Sequence, residues 1–254
     1  MPSVLTIAGS DSSGRAGIQA DLRTLAMLGV HAATALTAIT AQNARGVIAI
    51  EPIAADLVTA QIESVAAEAL DATKIGMLAT AAIVEAVAAA VEDLELPLVV
   101  LDPVLASSSG ARLLDHDGVQ TLMLELLPRV LVVTPNLPEA EALSGVRIQS
   151  ADDVRRAAKQ LHAMGAANVI IKGGHRNAQS PVPSPQPPIV DLLFDGREFH
   201  ELRVPHTAGA NLRGTGCSHS SALAAFLAMN DSLLTAAGKA QQHVARLIGS
   251  YTER

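Results

Sequence analysis

Short runs rich in β-branched residues alternate along the chain with longer runs of helical period, and this alternation restricts the fold more than any other feature. The runs "LVVLD" and "VLVVT" are continuously apolar up to their last residue, which is typical of strands buried on both faces of a parallel sheet. Predicted strands cover residues 4–8, 34–40, 73–77, 98–102, 130–134, 168–172 and 189–194. Predicted helices cover residues 16–28, 54–70, 81–93, 119–127, 138–143 and 151–164. The pattern therefore predicts an α/β fold in which helices cover both faces of a central, mostly parallel sheet.

The predicted elements form one continuous series, and we expect a single domain over residues 1–254. Nearly half of the residues are apolar (49%) but only 2% are aromatic, so the core must consist mainly of Ala, Val, Leu and Ile. One segment breaks the series, because "NAQSPVPSPQPP", residues 177–188, is rich in Pro and Ser. This composition predicts a surface loop or a polyproline excursion.

The charge and the apolar runs exclude several classes of protein. A formal net charge of −7 without any basic run argues against a nucleic-acid-binding protein, because such proteins present Lys and Arg patches with aromatic platforms. The first residues, "MPSVLTIAGSDSSG", have the pattern of a strand and a turn, not of a signal peptide. No apolar run reaches the roughly 18 residues of a membrane span. We therefore expect a cytoplasmic protein with neither nucleic-acid nor membrane partners.

Glycine-rich and polar motifs follow the first two predicted strands, and ligands of parallel sheets bind at the carboxyl ends of strands. The motif "AGSDSSGRAGIQAD" places Gly9, Gly14 and Gly17 where a tight backbone path could enclose a small ligand. An ordinary strand-to-helix turn explains the same glycines. In "AQN", the carboxamide of Gln42 could pair with the donor–acceptor edge of a heterocycle, or it could belong to a turn.

Four further polar residues follow later strands. Asp102, in "LDPV", suits metal or phosphate chemistry or a turn, and Lys172, in "IKGGH", suits a phosphate. In "TPNLPEAEAL", Asn136 stands three residues before Glu139, which is the spacing of a helix-capping box. The same two side chains could hold Mg²⁺ through water, since Mg²⁺ keeps waters and uses few carboxylates. Both interpretations of the pair remain open at this point.

The stretch "RGTGCSHSS" holds the one cysteine of the chain and leads into the apolar run "ALAAFLA". Small residues at Gly214, Thr215 and Gly216 would let successive N–H groups point into one concavity at the start of a helix, where the helix dipole adds positive charge. We therefore predict an anion site there. The same dipole predicts a lowered pKa for the thiol of Cys217. A small buried cysteine in a glycine-bounded turn is the alternative.

Seven motifs in this order resemble one enzyme family. The motifs "TIAGSDSSGRAGIQADL", "AQN", "KIGML", "LDPV", "TPNLPEAEAL", "KGGH" and "GTGC" resemble those of the hydroxymethylpyrimidine/phosphomethylpyrimidine kinases of thiamine biosynthesis, over most of the chain. The resemblance implies a ribokinase-like fold and transfer of phosphate from ATP, with Mg²⁺, to 4-amino-5-hydroxymethyl-2-methylpyrimidine. A second phosphorylation would convert the monophosphate to the diphosphate.

The resemblance also implies roles for single residues. The residues around the pyrimidine would be Gly9, Asp21, Gln42 and Met77. The residues on the Mg–ATP side would be Asp102, Asn136 and Glu139, with no metal ligand assigned directly. The residues next to the transferred phosphate would be Lys172, the anion-hole residues Gly214, Thr215 and Gly216, and Cys217 in the position of the base.

Three features depart from the family pattern. Arg15 replaces a glycine in the first loop, Leu212 and Arg213 replace Thr and His before the anion hole, and the chain ends in "GSYTER". Arg213 could strengthen the binding of ATP phosphates or could cover the surface. These departures leave open whether one or both phosphorylation steps occur.

Two other functions fit the same motifs. A pyridoxal or pyridoxine kinase would use a related site, because its substrates are also small heterocycles that carry a hydroxymethyl group. A pyrimidine-binding protein without turnover would keep the fold and lose the chemistry. The family also implies a homodimer, for which the apolar residues 34–40 could supply a surface.

Overall fold

A computed structural model describes residues 1–173, 188–206 and 213–252. The described residues form one nine-stranded sheet with the strand order β3-β2-β1-β4-β5-β6-β7-β8-β9. The strands are β1 Ser3–Asp11, β2 His31–Asn43, β3 Gly46–Pro52, β4 Ala72–Ile75, β5 Val99–Leu101, β6 Val132–Val133, β7 Val169–Ile171, β8 Ile189–Phe194 and β9 Phe199–Val204. Neighbours from β2 through β7 are parallel, whereas β3, β8 and β9 pair antiparallel at the two edges.

Helices cover both faces of this sheet. They are α1 Gly17–Met27, α2 Ala55–Ala66, α3 Ala81–Asp93, α4 His116–Thr121, α5 Leu137–Ser144, α6 Ala151–Ala163, α7 Thr215–Ala228 and α8 Leu233–Thr252. One apolar core lies between the sheet and α2, α3, α5 and α6, and a second core lies between the sheet and α1, α7 and α8. The α/β architecture predicted from the alternation of elements is therefore confirmed.

Side chains of the central strands alternate between the two cores. On β1, Leu5 and Ile7 belong to the first core and Val4 belongs to the second, and all three are fully buried. Burial on both faces explains why the central strands are continuously apolar in sequence. The small side chains of Ala222, Ala224 and Ala225 in α7 allow this helix to approach the sheet closely, and all three are fully buried.

The sheet reverses its direction of growth at β1. The chain passes from β1 through α1 to β2 on one side, and it then returns through α2 to β4 on the other side. Right-handed crossovers to opposite sides require helices on opposite faces, and α1 and α2 do pack in different cores. A crevice opens at such a reversal beyond the carboxyl ends of the strands. The fold thus places the loops after β1 and β4 at a ligand-binding position.

Several boundaries differ from those predicted. Strand β2 continues to Asn43 and pairs with β3 in a hairpin, so Gln42 lies within a strand and not beyond one. The prediction missed β3 and β9, which form the two edges of the sheet. In β9, "FHELRV", polar residues interrupt the apolar pattern. The predicted helix over residues 119–127 is instead α4 followed by a π-helical turn, Leu122–Leu126. The predicted loop at residues 177–188 lies outside the described residues except for Pro188.

We expect Leu223→Ala to destabilise the protein by about 2–5 kcal/mol, because the deletion leaves a cavity under α7. Leu223 is fully buried in the second core. Leu57→Ala in α2 is the matched control, since Leu57 is 55% exposed and its truncation should change stability by less than about 0.5 kcal/mol. Urea denaturation of both variants measures the difference, and equal losses would contradict the packing described here.

Candidate active site

A nearly buried ion pair links the ends of β5 and β7. Lys172 Nζ lies 2.8 Å from Asp102 Oδ1, and the two side chains are 12% and 3% exposed. Burial raises the pKa of Asp102, but the ammonium groups of Lys172 and Lys74 outweigh burial and lower it below its usual value. Burial also opposes the charge of Lys172, but Asp102 and Glu139 raise its pKa. Both groups are therefore charged at neutral pH, and an ammonium stands at the carboxyl edge of the sheet.

Asn136 and Glu139 form the capping box of α5. The Asn136 N–H donates to Glu139 Oε2 over 2.8 Å, and the Glu139 N–H donates to Asn136 Oδ1 over 2.9 Å. Lys172 is held beside this cap, because its N–H donates to the carbonyl of Pro135 over 2.9 Å. Burial raises the pKa of Glu139 to about 7. The capping-box interpretation of this pair is therefore confirmed, whereas the Mg²⁺ interpretation stays a prediction.

The start of α7 faces this ion pair. A Cβ on Gly216 would lie 3.4 Å from Lys172 Nζ and 3.6 Å from Asp102 Oδ2. Gly214 has a φ of 82°, and a Cβ there would overlap the carbonyl of Arg15, so glycine is required for the contact with the first loop. No side chain among the described residues caps α7. Its first N–H groups therefore remain available to an anion.

The pKa of the Cys217 thiol is higher than its position at a helix N-terminus predicts. Burial raises its pKa to about 11, and the nearby Lys74 lowers it only in part. The predicted lowering of this pKa at the helix N-terminus is therefore wrong. The helix dipole acts on the thiol, but the loss of hydration costs more. Cys217 is partly exposed to solvent and is protonated at neutral pH.

Gly9 and Met77 meet at the crevice. A Cβ on Gly9 would lie 3.0 Å from Met77 Sδ, so the glycine makes room for the thioether. The register between β1 and β2 shifts between Ala8 and Ser10, which places Gly9 at a bulge that widens the strand end. Thr37 holds Met77 from β2, because its hydroxyl donates to the Met77 carbonyl over 2.6 Å.

Asp11 organises the first loop from within. Its carboxylate accepts hydrogen bonds from the N–H groups of Ser13, Arg15 and Ala16 at 2.8, 3.1 and 2.8 Å. Burial raises its pKa, but hydrogen bonds from the Gln42 side chain and from this loop outweigh burial and lower it. The loop amides thus face a carboxylate of the protein itself. Gln42 lies at the same end of the crevice as Gly9.

Asp21 lies below the crevice and not in its wall. It is fully buried and forms an ion pair with Lys74, whose Nζ lies 2.7 Å from Asp21 Oδ2. Hydroxyl groups of Thr6 and Ser221 also donate to its two oxygens, over 2.7 and 2.8 Å. The Asp21 side chain has no exposed surface, which does not favour the expected contact with the pyrimidine, and that contact stays a prediction. Its contacts connect β1, β4, α1 and α7.

Sequence reasoning assigned no role to several residues near the site. They are Asp11, Lys74, Asp191, His219, Ser220 and Ser221. A lysine inside an apolar strand, "TKI", and the polar turn "SHSS" before an apolar helix were the available signals. A buried ammonium needs a partner on another element, and such partners cannot be located without the fold.

Arg213 reaches away from the anion hole. Its Nη1 donates to the carbonyl oxygen of Asn43 at the end of β2 over 2.6 Å. The side chain therefore ties the start of α7 to the β2–β3 hairpin. Arg15 is exposed, and its carbonyl packs against Gly214. Leu212 lies outside the described residues.

Comparison with known proteins identifies the family of this chain. A model of the family described as phosphomethylpyrimidine kinase matches residues 11–253. The chain belongs to the phosphomethylpyrimidine kinase family. A hydroxymethylpyrimidine/phosphomethylpyrimidine kinase of Haemophilus influenzae is 45% identical over 96% of this chain and 90% of its own length. The thiamine biosynthesis bifunctional protein ThiED of Geobacter sulfurreducens is 42% identical over 97% of this chain, and the chain spans about half (49%) of that protein's length.

Solved structures of the same fold give the same assignment. A phosphomethylpyrimidine kinase from Clostridium difficile 630 has a TM-score of 0.83 and 33% identity, over 98% of this chain and 100% of that one. A pyridoxal kinase from Staphylococcus aureus, in complex with AMP-PCP and pyridoxal, has a TM-score of 0.86 and 34% identity, over 98% and 88% of the two chains. The family, fold and kinase class predicted from the sequence are confirmed. In the described part of the chain, no helix is long and apolar enough to cross a membrane.

The carboxylates of the site are of the type that can bind Mg²⁺ together with a nucleotide. Among the described residues, no three His, Cys, Asp or Glu side chains come together as a metal cluster. Glu139 and Asp102 are oxygen donors of the type that Mg²⁺ accepts, and Mg²⁺ commonly binds through one or two carboxylates, waters and phosphates. These residues therefore suit a cation that arrives with ATP.

We expect Glu139→Gln to gain stability over the wild type as the pH rises from 5 to 8, by about 1–3 kcal/mol. The pKa of Glu139 is raised from 4.5 to about 7, so the favourable contribution of its protonated form is lost as the pH passes through 7. Glutamine keeps the capping hydrogen bond and does not ionise. Denaturation of the ligand-free protein at each pH measures the effect. Glu85→Gln, at an exposed position of α3, is the control, and a pH-independent difference for Glu139→Gln would refute the assignment.

Proposed function

We propose that the chain transfers the γ-phosphoryl group of ATP to the hydroxymethyl group of 4-amino-5-hydroxymethyl-2-methylpyrimidine, and then a second phosphoryl group to the monophosphate. One observation carries the proposal. The uncapped start of α7 faces the Lys172–Asp102 ion pair, at the edge of the sheet where Gly9 and Met77 also meet. An anion site and the apolar surface of Met77 then lie at the same edge of the sheet, as phosphoryl transfer to a small heterocycle requires.

The transferring phosphoryl group would lie against α7 and Lys172. The N–H groups of Thr215 and Gly216 and the helix dipole supply fixed positive potential to its equatorial oxygens. Lys172 adds a full charge, which Asp102 keeps in place at 2.8 Å. Mg²⁺, bound with ATP, would neutralise charge on the β- and γ-phosphates. Asn136, Glu139 and Asp102 would hold it, in part through water.

The pyrimidine would lie on the Gly9 side of the crevice. Met77 offers a polarisable apolar surface to the ring, and the Gln42 carboxamide can pair with the ring's amino and nitrogen edge. That carboxamide lies near Asp11, whose pKa it helps to lower. In this proposal, Asp21 supports the site from below and does not contact the ring.

The transfer forms one P–O bond, breaks another and releases the proton of the hydroxyl group. The hydroxymethyl oxygen bonds to the γ-phosphorus, the bond from that phosphorus to the β,γ-bridging oxygen breaks, and ADP leaves. The hydroxyl proton passes to the thiolate form of Cys217. This form is scarce at neutral pH, because the pKa is about 11. A strong but scarce base is sufficient, since the proton leaves late in a loose transition state.

A pyridoxal kinase activity is the second candidate. Its support is the solved pyridoxal kinase complex described above, whose fold superposes with a TM-score of 0.86. Pyridoxal also carries a hydroxymethyl group and would use the same α7 anion site. A protein that binds the pyrimidine without turnover is the third candidate. The charged Lys172–Asp102 pair argues against it, because a simple binder of a neutral pyrimidine needs no phosphate site.

We further propose that the protein works as a homodimer in the cytoplasm. Strand β2 pairs with β1 on one side and with β3 on the other, so its backbone is not free to pair with a second copy. Exposed apolar side chains of the hairpin, Ile39 at 55% and Ile48 at 74%, supply a surface for a second copy. Sedimentation of the purified protein measures its oligomeric state directly.

Hydroxymethylpyrimidine and its monophosphate should each support ATP- and Mg²⁺-dependent release of ADP, at rates well above that with pyridoxal. Measuring the three substrates side by side tests the proposal. Turnover of pyridoxal alone would identify the protein as a pyridoxal kinase. Binding of the pyrimidine without ADP release would favour the non-catalytic candidate.

Cys217→Ala should lower kcat for hydroxymethylpyrimidine by about 100-fold or more, as expected for loss of a general base. Wild-type kcat should rise from pH 7 to pH 9, because the thiolate fraction grows throughout the range below the pKa of about 11. The alanine variant should lack this rise. Unchanged turnover, or the same pH dependence in the variant, would remove Cys217 from the mechanism.

A further inference from the structure

Two consecutive serines of α7 lie against two different buried carboxylates. Ser220 Oγ lies 3.3 Å from Asp102 Oδ2, and Ser221 Oγ donates to Asp21 Oδ1 over 2.8 Å. Each carboxylate is itself paired with an ammonium, Lys172 in the first case and Lys74 in the second. The first turns of α7 therefore pack against two ion pairs. Only the Lys172–Asp102 pair has a role in the proposed phosphoryl transfer.

The second pair has no contact with solvent. Lys74 and Asp21 are both 0% exposed, and their charged atoms lie 2.7 Å apart. Burying two ions is costly unless further hydrogen bonds satisfy them, and here Thr6 and Ser221 satisfy the carboxylate. The backbone has adapted to the ammonium, because a Cβ on Gly76 would lie 2.7 Å from Lys74 Nζ. An apolar pair of similar size would bury as well, so stability alone does not explain these charges.

The position of the pair along α7 suggests what the charges do. Residues four apart lie on the same face of a helix, one turn from each other. Ser221 is four residues after Cys217, so the ion pair below Ser221 lies under the face that carries the thiol. Lys74 and Asp21 both act on the Cys217 charge, in opposite directions. The other charged groups that face it are Asp102 and Lys172.

We propose that the buried Lys74–Asp21 pair is a positioning element of the kinase: it seats the first turn of α7 and sets the electrostatic potential at the thiol of Cys217. Lys74 favours the thiolate and Asp21 opposes it. Neither residue touches the substrate. The proposal rests on the proposed role of Cys217, but the potential at the thiol can be measured without ATP or a pyrimidine.

The test uses the rate at which iodoacetamide alkylates the protein, because Cys217 is the one thiol in the chain and is partly exposed. The rate at pH 9 rises with the thiolate fraction, but a thiolate of lower pKa is a weaker nucleophile, so one unit of pKa changes the rate about threefold to fourfold. Lys74→Met should slow alkylation by about threefold to tenfold, and Asp21→Asn should accelerate it by a similar factor. Ser221→Ala is the matched control. It removes a hydrogen bond of the same network but no charge, so its rate should stay within about twofold of the wild type.

Opposite changes in the two charge variants support the proposal, because a merely structural pair would shift both rates in the same direction. Equal-sign changes, reversed signs or two unchanged rates overturn it. If Lys74→Met does not fold, the double variant Asp21→Asn/Lys74→Met is compared with Asp21→Asn. These two variants differ only in the Lys74 ammonium, so the double variant must be alkylated more slowly than Asp21→Asn. An equal or faster rate overturns the proposal. Retained turnover in Cys217→Ala would refute the role of the thiol as base and leave these rates interpretable.

Discussion

The structure depends on two buried ion pairs near the carboxyl edge of a parallel sheet. Lys172 with Asp102, and Lys74 with Asp21, each join a strand of the sheet to another element, and serines of α7 lie against both carboxylates. Removing one member of a buried pair leaves an uncompensated charge, which is strongly unfavourable. The contacts therefore have to form together, and in forming they fix where α7 begins.

The place of the site follows from the connectivity of the sheet. Because the chain leaves β1 on one face and returns to β4 on the other, the loops after these strands separate and open a crevice. Helix α7 starts at the mouth of that crevice, and Gly214 lets it pack directly on the first loop. A helix N-terminus supplies positive potential without a mobile side chain. The protein can thus bind phosphate although its net charge is −7.

Much of this was available from the sequence, and the missing part has a physical reason. Continuous apolar runs identified the central strands, and short motifs at their ends identified Lys172, Asp102 and the GTGC turn. Strand β9 was missed because polar residues interrupt its apolar pattern. The burial of Asp21 and its pairing with Lys74 were missed because their partners are distant in sequence. The pKa of Cys217 was mispredicted because a helix-dipole argument takes no account of lost hydration.

The raised pKa of the thiol is consistent with the charge balance of the site. Near the start of α7, two ammonium groups face two carboxylates, and burial raises the pKa of Glu139 to about 7. An ionised thiolate in the resting site would add a negative charge where the γ-phosphate of ATP has to bind, and like charges repel strongly where water is excluded. A neutral thiol admits the nucleotide first. The thiolate form, which accepts the hydroxyl proton, is needed only when the phosphoryl group has already begun to leave ADP.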